Sequence, residues 1–493
     1  MTGEIITLQI GQCGNHVGKQ FWSQLADEHG LNRSGESTQA TTNTTDNNAK
    51  TNIARDDFTT PFFKENNNST RYTPRAIMID MEPSAIFDVQ NHFPGFFDDR
   101  NTWISQGELG AGNTWAKGYD CGTTNEDTFL NMIDKEIDST ENFEGFQIIH
   151  SVAGGTGSGL GSSLLEAISE RYPKKFLSTY SVFPGKESEV VVQPYNTILT
   201  LRRLAENSDA AIIFDNNALL DLTGKVFRDP KTDYDHTNQL IAATMSSITN
   251  SIRFPSYMYC SMPSIFSTLV PSPDLQFLSP SFTPFTSDYV TQTQTHHNTY
   301  KRNNTAYDVL LDLLDPSNSL ISSHVNNPTY FNVFNTIIGN VDRNDITRAI
   351  GKIQQRINFA PWASNIVHVN VGRRSPYLIE KKTNNTCTNE INGMMLASST
   401  QILSVLDRAC KTFDKIFAKK AFLKTFEDGN LFKNGQDEFI ASREVVQNVI
   451  DEYLAATGED YLDEVLIPDE NMFGDYNDTV GHKNIDDEGD NIM

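Results

Sequence analysis

Between an apolar run, Phe146 to His150, and a helical run, Leu164 to Ile168, the chain places Ser151-Val152-Ala153-Gly154-Gly155-Thr156-Gly157-Ser158-Gly159-Leu160-Gly161-Ser162. The apolar run reads as a buried strand and the later one as a helix, so the glycines occupy a strand-to-helix turn. Glycine lets backbone N–H groups close on an anion with no Cβ in the way, and a helix N-terminus favours negative charge. The pattern is a phosphate cradle. The competing reading, a flexible Gly/Ser linker, fits poorly between a buried strand and a helix. Neither common cradle matches. A P-loop needs Lys directly after Gly-x-x-x-x-Gly, but Leu160 follows Gly159. The dinucleotide fingerprint Gly-x-Gly-x-x-Gly fails at Leu160 when counted from Gly155 and at Ser162 when counted from Gly157. On this reading a branched side chain at Gly157 would fill the phosphate volume.

The cradle sits in a longer alternation. Glu4 to Ile10 reads as a strand, with Gly11-Gln12-Cys13-Gly14-Asn15 as a loop opening a helix that carries Phe21, Trp22 and Leu25. Further strands are expected at Arg75 to Asp80, Phe176 to Phe183 and Ala210 to Phe214, with helices at Asn125 to Asp138 and Tyr195 to Leu204. Strands alternating with helices imply an α/β fold, a doubly wound parallel sheet covered on both faces. A helix from near Asn238 carries Ile241, Met245, Ile248 and Ile252 on one stripe, with Thr and Ser opposite, and stops before Pro255. The proline-punctuated segment from Pro255 to Pro284 reads as irregular. Strands at Tyr330 to Ile338 and Ile366 to Val371 follow, with a helix at Asp345 to Ile357 between them. Long amphipathic helices at Ser399 to Phe426 and Ser442 to Ala456 come last. Asn32 to Thr70 holds too few apolar residues to pack as core and reads as a partly disordered surface loop, and Thr291 to Asn304 and Lys381 to Asn389 read as loop expansions.

A chain of 493 residues can bury a large core over two or three domains. Its net charge of −24 argues against nucleic acid and anionic membranes as partners. The five cysteines are scattered, with no C-x-x-C pair, which suits a reducing compartment without disulfides or a zinc site. No secretory signal and no membrane-length apolar run stand out. From Glu459 onward twelve Asp and Glu face one Lys, and the stretch from Pro468 reads as a disordered acidic tail.

Other features keep two readings each. Gly107 to Trp115 is a second glycine loop, either a lid over phosphates with Asn113 donating a hydrogen bond, or a plain turn. Asp80-Met81-Glu82-Pro83 follows a strand. Its carboxylates either orient Mg²⁺ and its waters or, at Asp80, cap a helix. Cys13 reads as a packing residue beside a ligand rather than a nucleophile, since no base is assigned to it. His16 is either a pH-sensitive contact or a packing residue. Lys411, Lys415, Lys419, Lys420 and Lys424 punctuate a helix around Phe413, Phe417 and Phe422, as a docking surface for acidic partners or a solvated face.

Several phrases occur in order: Glu4 to Asn15, Gly110-Ala111-Gly112-Asn113-Thr114-Trp115-Ala116, Gly154 through Gly161, and Val190-Val191-Val192-Gln193-Pro194-Tyr195-Asn196. Together they resemble the tubulin/FtsZ family, whose signature is the Gly154-Gly155-Thr156-Gly157-Ser158-Gly159 loop. Arg171 to Lys175, Ser375 to Leu378, Ser442 to Gln447, and Gln193 where alpha- and beta-tubulins typically carry Glu, resemble the gamma-tubulin branch. The resemblance implies an N-terminal GTP-binding domain (1–237, with the 32–70 insert), a core helix (238–254), an intermediate α/β domain (255–395), a C-terminal helical domain (396–457) and an acidic tail (458–493).

It also implies a guanine nucleotide, GTP or GDP, with Mg²⁺. Ala153, Gly154, Gly155, Thr156, Gly157, Ser158 and Gly159 would cradle its phosphates, helped by Gly11, Gln12, Cys13 and Asn113. Glu82 would sit near Mg²⁺ or its waters. Asn207 and Asn238 would read the base and ribose, and Tyr234 would stack on the base. Glu189 stands where the family usually carries Asp at a ribose contact, His16 replaces a usual Gln, and Thr114 replaces a usual Asn. In Ser256 to Ser264, the loop that in this family completes a neighbouring subunit's site, Ser261 and Ser264 replace carboxylates. A hydroxyl supplies neither the charge nor the general base that hydrolysis wants, so this face would not activate a neighbour's GTP. The implied role is structural, with at most slow GTPase activity and no catalytic residue assigned. The chain would nucleate microtubules from alpha/beta-tubulin, in a ring of lateral self-association held by gamma-tubulin complex proteins. Its place would be the cytoplasm, at a microtubule-organising centre such as the spindle pole body. The alternative is a polymerising GTPase of the beta-tubulin/FtsZ type, with a nucleotide-dependent oxidoreductase third.

Overall fold

Every residue of β1 (Glu4–Ile10) is buried. A strand covered on both faces belongs to a parallel sheet sandwiched between helices. The computed structural model, which describes residues 3–37, 59–65, 71–105, 110–185, 190–227, 234–254, 258–283, 305–325, 327–375, 377, 391–427, 429–432 and 435–462, has such a sheet. In chain order, β1 leads into α1 (Gly11–Glu28). Then come β2 (Phe63–Glu65), β3 (Tyr72–Pro74), β4 (Ala76–Asp80), α2 (Pro83–His92), β5 (Thr102–Ile104), α3 (Trp115–Thr124), α4 (Glu126–Ile137) and β6 (Phe143–Ser151). Next are α5 (Gly161–Arg171), β7 (Phe176–Phe183), α6 (Gln193–Asn207), β8 (Ala210–Asp215), α7 (Asn216–Phe227) and α8 (Tyr234–Arg253). The rest holds α9 (Met262–Phe266), β9 (Phe277–Thr283), α10 (Ala306–Asp312), β10 (Thr329–Ile338), α11 (Arg343–Arg356), β11 (Asn358–Phe359), β12 (Val367–Gly372), β13 (Asn392–Ser399), α12 (Leu403–Phe417) and α13 (Asp437–Ala455).

The strand order is β11-β10-β13-β9-β8-β7-β6-β1-β4-β5, with β12 also on β10. From β5 to β9 all neighbours run parallel, while β13 is antiparallel to both β9 and β10. The sheet is continuous across Pro255, because β9 joins β8 through Ala211–Phe277 and Ile212–Leu278. Successive side chains of each parallel strand feed different cores. In β4, Ile77 and Ile79 pack with residues of α3, α4, α5 and α6, whereas Ala76 and Met78 pack with α1, α2 and α8. The chain leaves β1 toward β4 on one side, and β6 lies on the other. The resulting switch point opens a crevice beyond the strands' carboxyl ends.

α8 is buried on all sides, not on one apolar stripe as its sequence suggests. Its hydroxyls make this tolerable: Thr244, Ser247 and Thr249 each donate to the carbonyl four residues earlier, at 2.8–3.0 Å. Its last residue, Arg253, is fully buried and pairs with Glu28 of α1 at 2.6 Å. Glu28 also accepts from Ser246 (2.6 Å). The end of α1 thus meets the second half of α8, so the two helices run in the same sense and their first turns share the carboxyl edge of the sheet.

Several expectations are corrected. The stretch 32–70 does reach the core: Phe62 and Phe63 are buried against Trp22, and β2 pairs with β3. Full burial of such a ring contributes about 2–3 kcal/mol, which pins that end of the insert. Gly11 to Asn15 is not a loop but the first turn of α1. The proline-punctuated segment contains α9 and the wholly buried β9. The helix expected to run to Phe426 stops at Phe417, because Lys420 and Phe422 adopt left-handed conformations (φ 53° and 61°). Asp80 is not a helix cap. It ends β4, and Glu82 holds the cap position of α2 without a side-chain bond. Most of the insert at 32–70, the expansions at 291–304 and 381–389, and the tail from 463 lie outside the described residues. No described helix is long and apolar enough to cross a membrane.

Candidate functional site

Two glycine loops meet at the switch point. The first leaves β6. Val152 N–H donates to Val182 O (3.1 Å), Gly159 N–H donates to Gly155 O (2.9 Å), and the Ser158 hydroxyl donates to Gly154 O. A wide π turn over Thr156–Leu160 carries it into α5. Its contact with β1 demands glycine. Gly11 has φ +73°, and a Cβ there would stand 2.8 Å from Gly157 N. The second loop packs on the first: a Cβ on Gly155 would fall 2.6 Å from the Ala111 Cβ and 2.8 Å from Thr114 N.

Side chains that sequence reasoning passed over hold the loops in place. Asn196, buried in α6, donates from Nδ2 to Asn113 O and Ala153 O, both at 2.8 Å. Its Oδ1 accepts from Trp115 N–H (3.0 Å). One amide therefore clamps both loops, a role hidden in the phrase Gln193-Pro194-Tyr195-Asn196. His150 lies beneath the first loop, with Nδ1 3.0 Å from Gly157 O and Nε2 2.9 Å from Ser181 Oγ. Burial holds its pKa down at about 4, so the ring is neutral. A carbonyl can only accept, so Nδ1 carries the proton and Nε2 accepts from Ser181.

The loops present unused donors. Among the described residues, the N–H groups of Gly112, Asn113, Gly154 and Gly155 donate to no protein acceptor. Asn113 achieves this with a left-handed φ of 56°. The first turn of α1, with Gly11, Gln12 and Cys13, has no side-chain cap, so its N–H groups are orphans as well. A Cβ on Gly154 would touch nothing within 4 Å. By contrast, a Cβ on Gly157 would stand 3.1 Å from Ser151 N and O, so it points at the sheet rather than into a ligand volume, contrary to expectation. These are the properties of an anion site built from main chain.

Carboxylates flank it. Asp80 ends β4 with Oδ1 accepting from Glu82 N–H (3.2 Å), while its buried Oδ2 has no partner among the described residues. Burial is the main cause raising its pKa to about 6. The Glu82 carboxylate lies against Gly110 of the second loop. The described residues hold no cluster of three or more metal-ligating side chains. An orphaned oxygen beside a second carboxylate suits a cation held mostly through water.

The remaining expected residues divide. Cys13 is partly buried, and desolvation pushes its thiol up to about 12, which removes the thiolate a nucleophile needs. His16 faces Asp88 of α2 at 3.7 Å, and Lys19 pairs with the same carboxylate at 2.7 Å. Tyr234 is 62% exposed at the start of α8, with Asn238 one turn further on, at the carboxyl edge. Asn207 is not brought there. It ends α6, on the amino side of β8, and its amide donates to Arg203 O (3.3 Å). The asparagine at the carboxyl end of β8 is Asn216, next to Gly185. The signal was Asp215-Asn216-Asn217 directly after a strand. Glu189 lies outside the described residues.

The opposite edge is self-contained. Ser261 caps α9 by accepting from Ser264 N–H (3.3 Å), and the Ser264 hydroxyl donates back to Ser261 O (2.8 Å). The serines in the carboxylate positions are thus occupied with their own helix. A carboxylate does approach this loop from β6: Glu144 accepts from Met262 N–H.

Comparison with known proteins agrees with this geometry. The family description "Tubulin/FtsZ family, GTPase domain" matches residues 4–224, and "Tubulin C-terminal domain" matches residues 273–411. The tubulin gamma chain of Saccharomyces cerevisiae is 60% identical over 478 residues, covering 96% of this chain and 97% of that protein. The gamma chains of Eremothecium gossypii and Candida glabrata are each 58% identical, over 96% and 97% of this chain and 97% and 99% of their own lengths. By these matches the chain belongs to the tubulin/FtsZ family, among its gamma chains.

Proposed function

We propose that the chain is a guanine-nucleotide-bound structural template that seeds microtubules from alpha/beta-tubulin. The observation carrying this reading is the near-full-length similarity to tubulin gamma chains, coupled to two glycine loops with unused N–H donors. Ala153 to Gly159, Gly11, Gln12, Cys13 and Asn113 would hold the phosphates, with His16 on the same helix face region. Asp80 and Glu82 would hold Mg²⁺ through water. Asn238 and Asn216, the latter in place of Asn207, would read the base, with Tyr234 stacked on it and Glu189 at the ribose. The nucleotide acts here as a structural ligand, stabilising the fold by about 4 kcal/mol at a thousandfold excess over its dissociation constant.

The amino edge supports a seed over a cycling polymer. Ser261 and Ser264 are engaged in capping, and Glu144 already accepts a backbone N–H, so the described residues of this loop offer serine hydroxyls rather than a carboxylate as a general base. Lateral copies held by gamma-tubulin complex proteins at a spindle pole body would offset the association entropy that slows spontaneous nucleation. The division at 237/238, 254/255 and 395/396 is part of this proposal. The test has two arms. Denaturing the purified chain should release GTP or GDP, and the reconstituted complex should shorten the lag of alpha/beta-tubulin assembly. An empty protein with an unchanged lag would refute the reading.

A further inference from the structure

We propose that the acidic segment 463–493 docks, in the same molecule, on a lysine-rich face at the C-terminal end of α12. Between 411 and 426 the chain carries Lys411, Lys415, Lys419, Lys420 and Lys424 against Asp414 alone. All these lysines are exposed. Lys411 is engaged with Asp407 at 3.8 Å, and Asp414 is taken by Arg443 at 3.1 Å. Among the described residues, the other four lysines have no ion-pair partner. The left-handed turns at Lys420 and Phe422 break the helix here and leave Phe422 51% exposed amid the lysines.

A positive face with an aromatic at its centre is out of place on a chain of net charge −24. Its complement is an acidic segment with aromatics of its own. Residues 469–478 read Asp-Glu-Asn-Met-Phe-Gly-Asp-Tyr-Asn-Asp, with no basic residue. The route is open. Arg443, early in α13, meets Asp414, late in α12, so the two helices are antiparallel and the described chain leaves from the end remote from the lysines. Tyr461 anchors that exit, packed on Trp362 at 5.3 Å with its hydroxyl donating to Glu452 (2.6 Å). The 19 residues of α13 span roughly 28 Å. Phe473 to Asp478 lie far enough past Leu462 to reach roughly 36–53 Å when extended. Tethering keeps the tail at an effective concentration on the order of millimolar, so weak exposed ion pairs suffice. Such pairs are screened by salt.

The test is zero-length carbodiimide cross-linking of the full chain at low salt, using a mixture of isotopically light and heavy protein, read by mass spectrometry. The expected links join Lys415, Lys419, Lys420 or Lys424 to carboxylates of 469–478 within one isotope class, and fall about fivefold or more at 0.5 M salt. The K419E/K420E variant should lose them, and so should D475K/D478K, which alters no described residue and keeps the test informative if the first variant misfolds. Equal yields to exposed lysines on other elements such as Lys135 and Lys174 would overturn the proposal. So would a predominance of light–heavy links, which would assign the tail to a second copy.

Discussion

At the amino edge of the parallel sheet, carboxylates close the backbone. Glu4 accepts from Glu141 and Asn142 N–H at 2.6 and 2.8 Å, Asp209 accepts from Leu177 N–H at 2.7 Å, and Glu144 accepts from Met262 N–H. At the carboxyl edge, Asp80 and Asp215 accept in the same way from Glu82 and Asn217 N–H at 3.2 Å each, but in the glycine loops the N–H groups of Gly154, Gly155, Gly112 and Asn113 stay open among the described residues. One sheet thus ends in two ways. Buried or half-buried N–H groups such as those of Gly155 and Gly154 need acceptors, and a turn that withholds them leaves that place to a ligand.

The largest expected break in this comparison is at Gly154. A valine there meets no protein atom but enters the open volume. Gly154→Val should therefore fold normally and lose guanine nucleotide by about three orders of magnitude or more, about 4 kcal/mol. Nucleotide released from the purified variant, beside an unchanged circular-dichroism spectrum, checks both halves. Retained nucleotide would remove the carboxyl edge from the site.

Glu4→Ala should do the reverse. It strands Arg75, buried beside it, and two backbone donors. Breaking such a pair costs about 3 kcal/mol of stability. Denaturant midpoints should show that loss, while nucleotide content per folded molecule stays that of the parent. A selective loss of nucleotide would show that the edges are coupled.

The smallest effect sharpens the role of Asp80. Its raised pKa, about 6, lies above the ordinary carboxylate value, so its ionised form is the unfavourable one in the fold. That contribution to stability is intact below about pH 4 and is lost as pH rises through about 6. Asp80→Asn should accordingly stabilise the nucleotide-free chain by about 2 kcal/mol at pH 7 and by nothing at pH 4. It should also weaken the magnesium dependence of nucleotide binding. Melting curves at the two pH values decide this. An equal effect at both would mean that ionisation of Asp80 is not the cause.

Much of the site was legible because its chemistry is local. The Gly154 to Gly159 run, the loop through Asn113 and the carboxylates after β4 all sit where a strand ends, and strand ends announce themselves in apolar periodicity. Asn207 shows the limit. The family resemblance assigns it to the base, but it lies on the amino side of β8, and the direction of that strand puts Asn216 at the carboxyl edge instead. Asn196 and His150 were passed over for a different reason. Each sits among other polar residues of its element, and partners that give it its role lie far off in sequence, Ser181 31 residues from His150 and Asn113 83 residues from Asn196.

The sequence by itself determined the alternation of strands and helices, the glycine turns and their place between elements. Those follow from backbone sterics and side-chain periodicity over a few neighbouring residues. Only the tertiary structure decided which loops touch, which donors stay unpaired, and which backbone donors its own carboxylates close. It also decided that Phe62 and Phe63 join the core while, among the described residues, Lys419, Lys420 and Lys424 past α12 have no ion-pair partner. Those outcomes depend on groups brought together across long stretches of chain, where burial and pairing are set by the assembled surface rather than by any local pattern.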